Sequence, residues 1–101
     1  MQRTVLTEVY ALLKRIGAVA NEAEFSRDWL GRSECYMRML RFKGVGASTG
    51  SVAICTSKLQ HYGKRMYESS AHSELGKQFI ELSRECCNTI NDEAEAQWLA
   101  A

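Results

Sequence analysis

Apolar residues recur along this chain at three- and four-residue spacing, and no stretch alternates apolar with polar as a half-buried strand does. In residues 4–16, TVLTEVYALLKRI, the residues Val5, Val9, Leu12, Leu13 and Ile16 form one stripe on a helix of about three turns. Thr4 can cap its start, Lys14 and Arg15 suit the dipole at its end, and Gly17 stops it. Asn21 is a good N-cap for a second helix over 22–30, with Phe25, Trp29 and Leu30 apolar. Ser26 is small enough there for close helix–helix approach. Gly31 suits a turn that needs positive φ, and Ser33 can cap a third helix over 33–42. On that helix Met37 and Leu40 are expected to face inward and Arg38 and Arg41 outward, while Cys35, Tyr36 and Phe42 fit either side.

Residues 43–50, KGVGASTG, read as a connector. Its three glycines suggest a phosphate cradle, but no strand precedes it and the Gly-Lys-Ser/Thr ending of a P-loop is missing. Ser48 or Thr49 can cap a fourth helix over 51–67. There Val52, Cys55, Leu59, Tyr62 and Met66 repeat at the spacing of a helix seam, and Gly63 interrupts the run. After a break at 69–72, a fifth helix over 73–99 carries Leu75, Phe79, Leu82, Cys86 and Ile90, with Trp98 extending the stripe and Gly76 weak in its first turn. The expected architecture is all-α: a five-helix single domain with a helix-turn-helix domain in 1–67 and a C-terminal antiparallel helical hairpin. Its last helix, 68–101, packs on the rest or dimerises.

Composition narrows this further. The 101 residues allow one modest core, and the chain has no proline. A net charge of +1 hides a split. Residues 1–67 carry 11 Lys/Arg against 5 Asp/Glu, whereas 68–101 carry 2 against 7. That fits a basic face for a polyanion and an acidic remainder. Cys35, Cys55, Cys86 and Cys87 include no Cys-x-x-Cys, and neither His61 nor His72 sits at ligand spacing from a cysteine pair. All four cysteines are therefore expected as small buried hydrophobes in a reducing compartment. With no apolar signal core and no membrane-length apolar run, a cytoplasmic protein is expected.

Catalysis finds little support. Cys55 and His61 lie roughly 120° apart around a helix, so they form no local dyad. Glu81 and Glu85 are most simply a solvated face. No enzyme activity, metal or cofactor is implied. Nucleic-acid binding fares better, because residues 27–43 hold Arg27, Arg32, Arg38, Arg41 and Lys43 against Asp28 and Glu34. A DNA-reading helix needs cations for phosphates and side chains that reach base edges. Ser33, Glu34 and Arg38 are placed for base edges, and Arg32, Arg41 and Lys43 for flanking phosphates. Arg27 and Tyr36 complete the candidate DNA-binding set.

The segment FSRDWLGRSECYMRMLRFKG resembles the helix-turn-helix of the Cro/C1 (lambda repressor-like) family. Leu30, Gly31, Ser33, Met37 and Leu40 match that family's order of apolar residue, Gly, Ser/Thr and two inward apolar residues. The family's small residue, four before the Gly, is Arg27 in register, with Ser26 beside it. Residues 48–59 are similar to the helix that follows the motif. The wider stretch through SVAICTSKLQ also resembles small uncharacterised bacterial proteins. The resemblance covers about residues 20–65 and implies a small bacterial transcriptional regulator. It would bind double-stranded DNA and form a homodimer, here expected through helices 4 and 5. The alternative is a helical protein-interaction module, an adaptor or an inhibitor of a nucleic-acid enzyme, whose acidic last helix meets a protein partner.

Overall fold

The computed structural model describes residues 4–100. Among them are five helices and no strand: α1 (Val5–Arg15), α2 (Glu22–Trp29), α3 (Tyr36–Lys43), α4 (Thr49–Tyr67) and α5 (Ser73–Ala100). Among the described residues no helix is long and apolar enough to cross a membrane. The chain divides into two compact units, Met1–Ile54 and Cys55–Ala101.

In the first unit the expected caps of α1 and α2 form. The Thr4 hydroxyl accepts from the Thr7 N–H, and the Asn21 side chain accepts from the Glu24 N–H. Glu24 reaches back to the Ala20 N–H at 2.9 Å, so two otherwise orphaned donors at the start of α2 are satisfied. The stripe of α1 differs from expectation. Leu6, Val9, Leu12 and Leu13 are buried, while Ile16 is 39% exposed. Gly17 adopts φ +82°, and the N–H of Ala18 bonds back to the Leu13 carbonyl at 2.8 Å. This left-handed turn takes the chain off the helix axis at Ile16 and delivers Val19 to the interior instead, at 3% exposure. The Tyr10 and Phe25 rings meet at 5.5 Å between centroids and join α1 to α2.

In the second unit α4 and α5 run antiparallel: Gly63 lies against Gly76, Phe79 and Ile80, while Cys55 bonds to Cys86. The expected seam is kept at Cys55, Leu59, Phe79 and Cys86, all buried, and departs from hydrophobicity elsewhere. Tyr62 is 42% exposed, Leu75 and Leu82 are half-buried, and the buried residues of α5 are Gly76, Phe79, Ser83 and Cys86. Backbone proximity explains the shift. A Cβ on Gly76 would lie 2.5 Å from the Tyr67 backbone nitrogen and 2.8 Å from the Gly63 carbonyl oxygen. Helices this close admit only small residues along the contact line, and the larger apolar side chains flank it. Gly63 and Gly76, weak in isolated helices, are thus required by the crossing. Of the cysteines only Cys55 and Cys86 are buried, whereas Cys35 and Cys87 are exposed. The hydrogen bond to Cys86 and burial push the Cys55 thiol above its ordinary range, so it stays protonated.

Candidate nucleic-acid interface

The candidate surface is built on α2, the turn that follows it, and α3. Gly31 adopts φ +65°, and a Cβ there would approach the Ile54 side chain to 2.9 Å, so the turn favours glycine twice over. The turn is longer than the sequence pattern suggests. It spans residues 30–35, and α3 begins at Tyr36, not at Ser33. Ser33 is no N-cap: its carbonyl accepts the Tyr36 N–H at 3.0 Å. The capping residue by position is Cys35, whose side chain makes no cap bond.

A residue from α2 supplies the missing cap. Ser26 is fully buried, and its hydroxyl oxygen accepts the N–H of Met37 at 3.2 Å. Its carbonyl accepts the Arg32 N–H at 3.0 Å. Ser26, one position before Arg27, therefore ties both ends of the turn. Arg27 is exposed in the adjacent position. Together with buried Met37 and half-buried Leu40, this bond sets how α3 lies on α2.

The expected DNA-binding residues fall into three groups. Arg27 is paired with Asp28 at 3.1 Å and with Glu34 at 3.0 Å, and Arg41 is paired with Glu22. Hydrogen bonds donated to these carboxylates raise both guanidinium pKa values above the ordinary arginine range. Both side chains are more than half exposed, so water and salt compete for these pairs. Arg32 is an anchor. It donates to the Ser51 hydroxyl at 2.7 Å and the Ser48 hydroxyl at 2.9 Å, and its guanidinium lies 5.6 Å from the Tyr36 ring centre. The Tyr36 hydroxyl accepts from the Ser48 N–H at 2.9 Å and from the Ser51 hydroxyl. Burial alone would push the Tyr36 phenol up; these hydrogen bonds and the Arg32 charge outweigh it and hold the phenol below its ordinary value. This cluster fixes the start of α4, where the Ser48 hydroxyl also accepts the Ser51 N–H.

Arg38 and Lys43 form the third group. Both are exposed; Arg38 bonds to the Cys35 sulfur, and among the described residues neither pairs with a carboxylate. Three of the eight residues of α3 are cationic and none is acidic. At the α-helical pitch Phe42 falls between Arg38 and Met39, on the side away from Met37 and Leu40. Phe42 is 91% exposed, with Met39 at 44% and Val45, just past the helix, at 55%. The crest of α3 is thus mixed, basic and apolar. Sequence periodicity leaves Phe42 open and does not reveal Glu22 and Ser51, whose partners lie 15 to 19 residues away; it shows Ser48 only as a helix cap. A shallow cleft of about 380 Å³ below the crest is lined by Tyr10, Glu22, Glu34, Cys35 and Arg38 among others. Its facing charges leave it without a clear ligand preference.

Neither a curated protein nor a solved structure shows significant similarity to this chain. A family model does match, over residues 6–99, and the chain belongs to that family, a family of unknown function (DUF6626).

Proposed function

We propose that the protein is a small bacterial DNA-binding regulator that meets duplex DNA through α3 and acts in the cytoplasm. The observation that carries this reading is α3 itself, an exposed helix with three cations and no carboxylate, seated on α2 across a glycine-bearing turn. Arg38 and Lys43 are the primary phosphate or base contacts, because no carboxylate competes for them. Arg27 and Arg41 contribute only when DNA phosphate displaces their own carboxylates. Arg32 and Tyr36 hold the start of α4 in place. Ser33 and Glu34, in the turn and not on the helix, are edge contacts at most.

The test is a fluorescence titration of the full chain against a random-sequence duplex at low and moderate salt. Binding should weaken steeply with salt, and Arg38→Ala and Lys43→Ala should each reduce the salt slope by about 1. Arg38→Ala should cost more affinity than Lys58→Ala. Absence of binding at low salt, or binding indifferent to salt, rules the reading out.

A second reading has its own observation. A ring as exposed as Phe42, flanked by Met39 and Val45, suits a protein contact at the same crest. Loss of DNA binding with no change on Phe42→Ala, or the reverse, separates the two.

A further inference from the structure

We infer that the distal part of α5, residues 91–100, docks onto the α3 crest of a second copy of this chain. Every residue of NDEAEAQWLA is exposed, including Trp98 at 64% and Leu99 at 66%. The expected stripe does continue here: Ile90, Ala94 and Trp98 share one helix face, leading on from buried Cys86 and half-buried Ile90. Its distal part is exposed. Glu93 and Glu95 flank it and Asp92 lies on the far face, with no Lys or Arg in the segment. The segment is therefore an acidic helix with an exposed apolar stripe, and it calls for a basic surface with apolar side chains at its centre.

The α3 crest has that chemistry. Arg38 and Lys43 have no carboxylate partner among the described residues and flank exposed Phe42 and Met39. The dimensions agree: ten residues of α5 span about 15 Å and the eight of α3 about 12 Å. Two such contacts, each crest receiving the other copy's α5, close into a two-fold dimer. Pairing two distal α5 segments with each other would instead set three carboxylates against three and is disfavoured. This inference does not rest on DNA binding. It adds that the dimer and a DNA duplex would compete for α3.

The experiment is sedimentation velocity on the full chain without nucleic acid, at about 50 mM and about 500 mM salt, conditions that straddle effective screening. The expected result is a concentration-dependent dimer, weaker at high salt. Glu93→Lys/Glu95→Lys and Arg38→Glu/Lys43→Glu should each raise the dimer dissociation constant about tenfold or more. Mixing the two variants should restore association, since each copy then offers the charge that the other lacks. Trp98→Ala should also weaken the dimer. Circular dichroism should show unchanged helix content for all of them, because every substituted residue is exposed. A monomer at all concentrations overturns the inference, as does a dimer indifferent to these substitutions. A dimer strengthened by salt or by Glu93→Lys/Glu95→Lys would mean that α5 segments pair with each other, and a mixture that fails to associate also refutes the contact. DNA binding could fail in its own titration and leave this result standing.

Discussion

The two compact units are held together by different means. In the first, directional polar bonds fix the elements: a buried serine caps α3 from α2, and Arg32 clamps two serines at the start of α4. In the second, α4 and α5 touch backbone to backbone across two glycines, and little but shape sets their crossing. The contrast shows that a helix pair can be specified by what one side chain donates or accepts, or by what side chains are absent. The first kind of contact tolerates small changes of volume but no loss of a partner. The second tolerates no added atom.

The largest effect should follow from Gly76→Ala. The new methyl would meet the Tyr67 nitrogen and the Gly63 carbonyl, both backbone, so no rotamer change relieves it. A loss of about 3 kcal/mol or more is expected, at the upper end of overpacking costs, read from urea unfolding followed by circular dichroism. Gly63→Ala should cost less, because its nearest contacts lie at 3.0 Å and not 2.5 Å, and one of them, the Ile80 Cγ1, can rotate away. Equal costs would mean that the crossing is looser than its glycines imply.

Next comes Ser26→Ala, which keeps the volume and removes the acceptor. The buried Met37 N–H then lacks its partner, a cost of about 1–3 kcal/mol. Amide exchange at Met37 should quicken more than at Leu13. If stability is unchanged, the cap is dispensable and packing of Met37 alone holds α3.

A smaller effect on stability, but an informative one on binding, concerns the ion pairs. Glu22→Gln and Glu34→Gln should leave unfolding almost unchanged, since the pairs are exposed. If α3 meets DNA, Glu22→Gln should tighten non-specific binding by releasing Arg41, and Glu34→Gln should do so less, because Arg27 keeps its pair with Asp28. Weaker binding in either variant would show that these carboxylates position the arginines for DNA.

The smallest effect is spectroscopic. Tyr36 should ionise at lower pH than an ordinary tyrosine, visible as the early part of the phenolate absorbance rise that Tyr36→Phe removes. The sign follows from linkage. A phenol whose folded pKa is depressed favours the fold at pH above its unfolded value, and that contribution fades as pH falls through the folded value. It therefore adds nothing near neutrality and appears only on the alkaline side. A removed component with an ordinary midpoint would mean that the Ser48 and Ser51 bonds are not kept in solution.

The all-α class, the five helices and the caps at Thr4 and Asn21 follow from local chemistry: three- and four-residue apolar spacing, a side chain that accepts from the N–H three residues on, and glycines at φ that other residues avoid. The turn glycine at 31 and inward-facing Met37 are legible for the same reason. Tertiary structure decided the rest. That Ser26, and not its neighbour Arg27, meets Met37 depends on how α3 lies on α2. The start of α3 moved to Tyr36 because its cap comes from another helix. In the seam of α4 and α5, Gly63, Gly76 and Ser83 join the expected Cys55, Leu59, Phe79 and Cys86, while Leu75 and Leu82 stay half-buried because the backbones approach closely at the glycines. Which arginines remain without a carboxylate was set by Glu22, 19 residues from Arg41 in sequence. Hydrophobic spacing reports how a helix divides between inside and outside. The partner it meets, and how near that partner comes, is a property of the assembled chain.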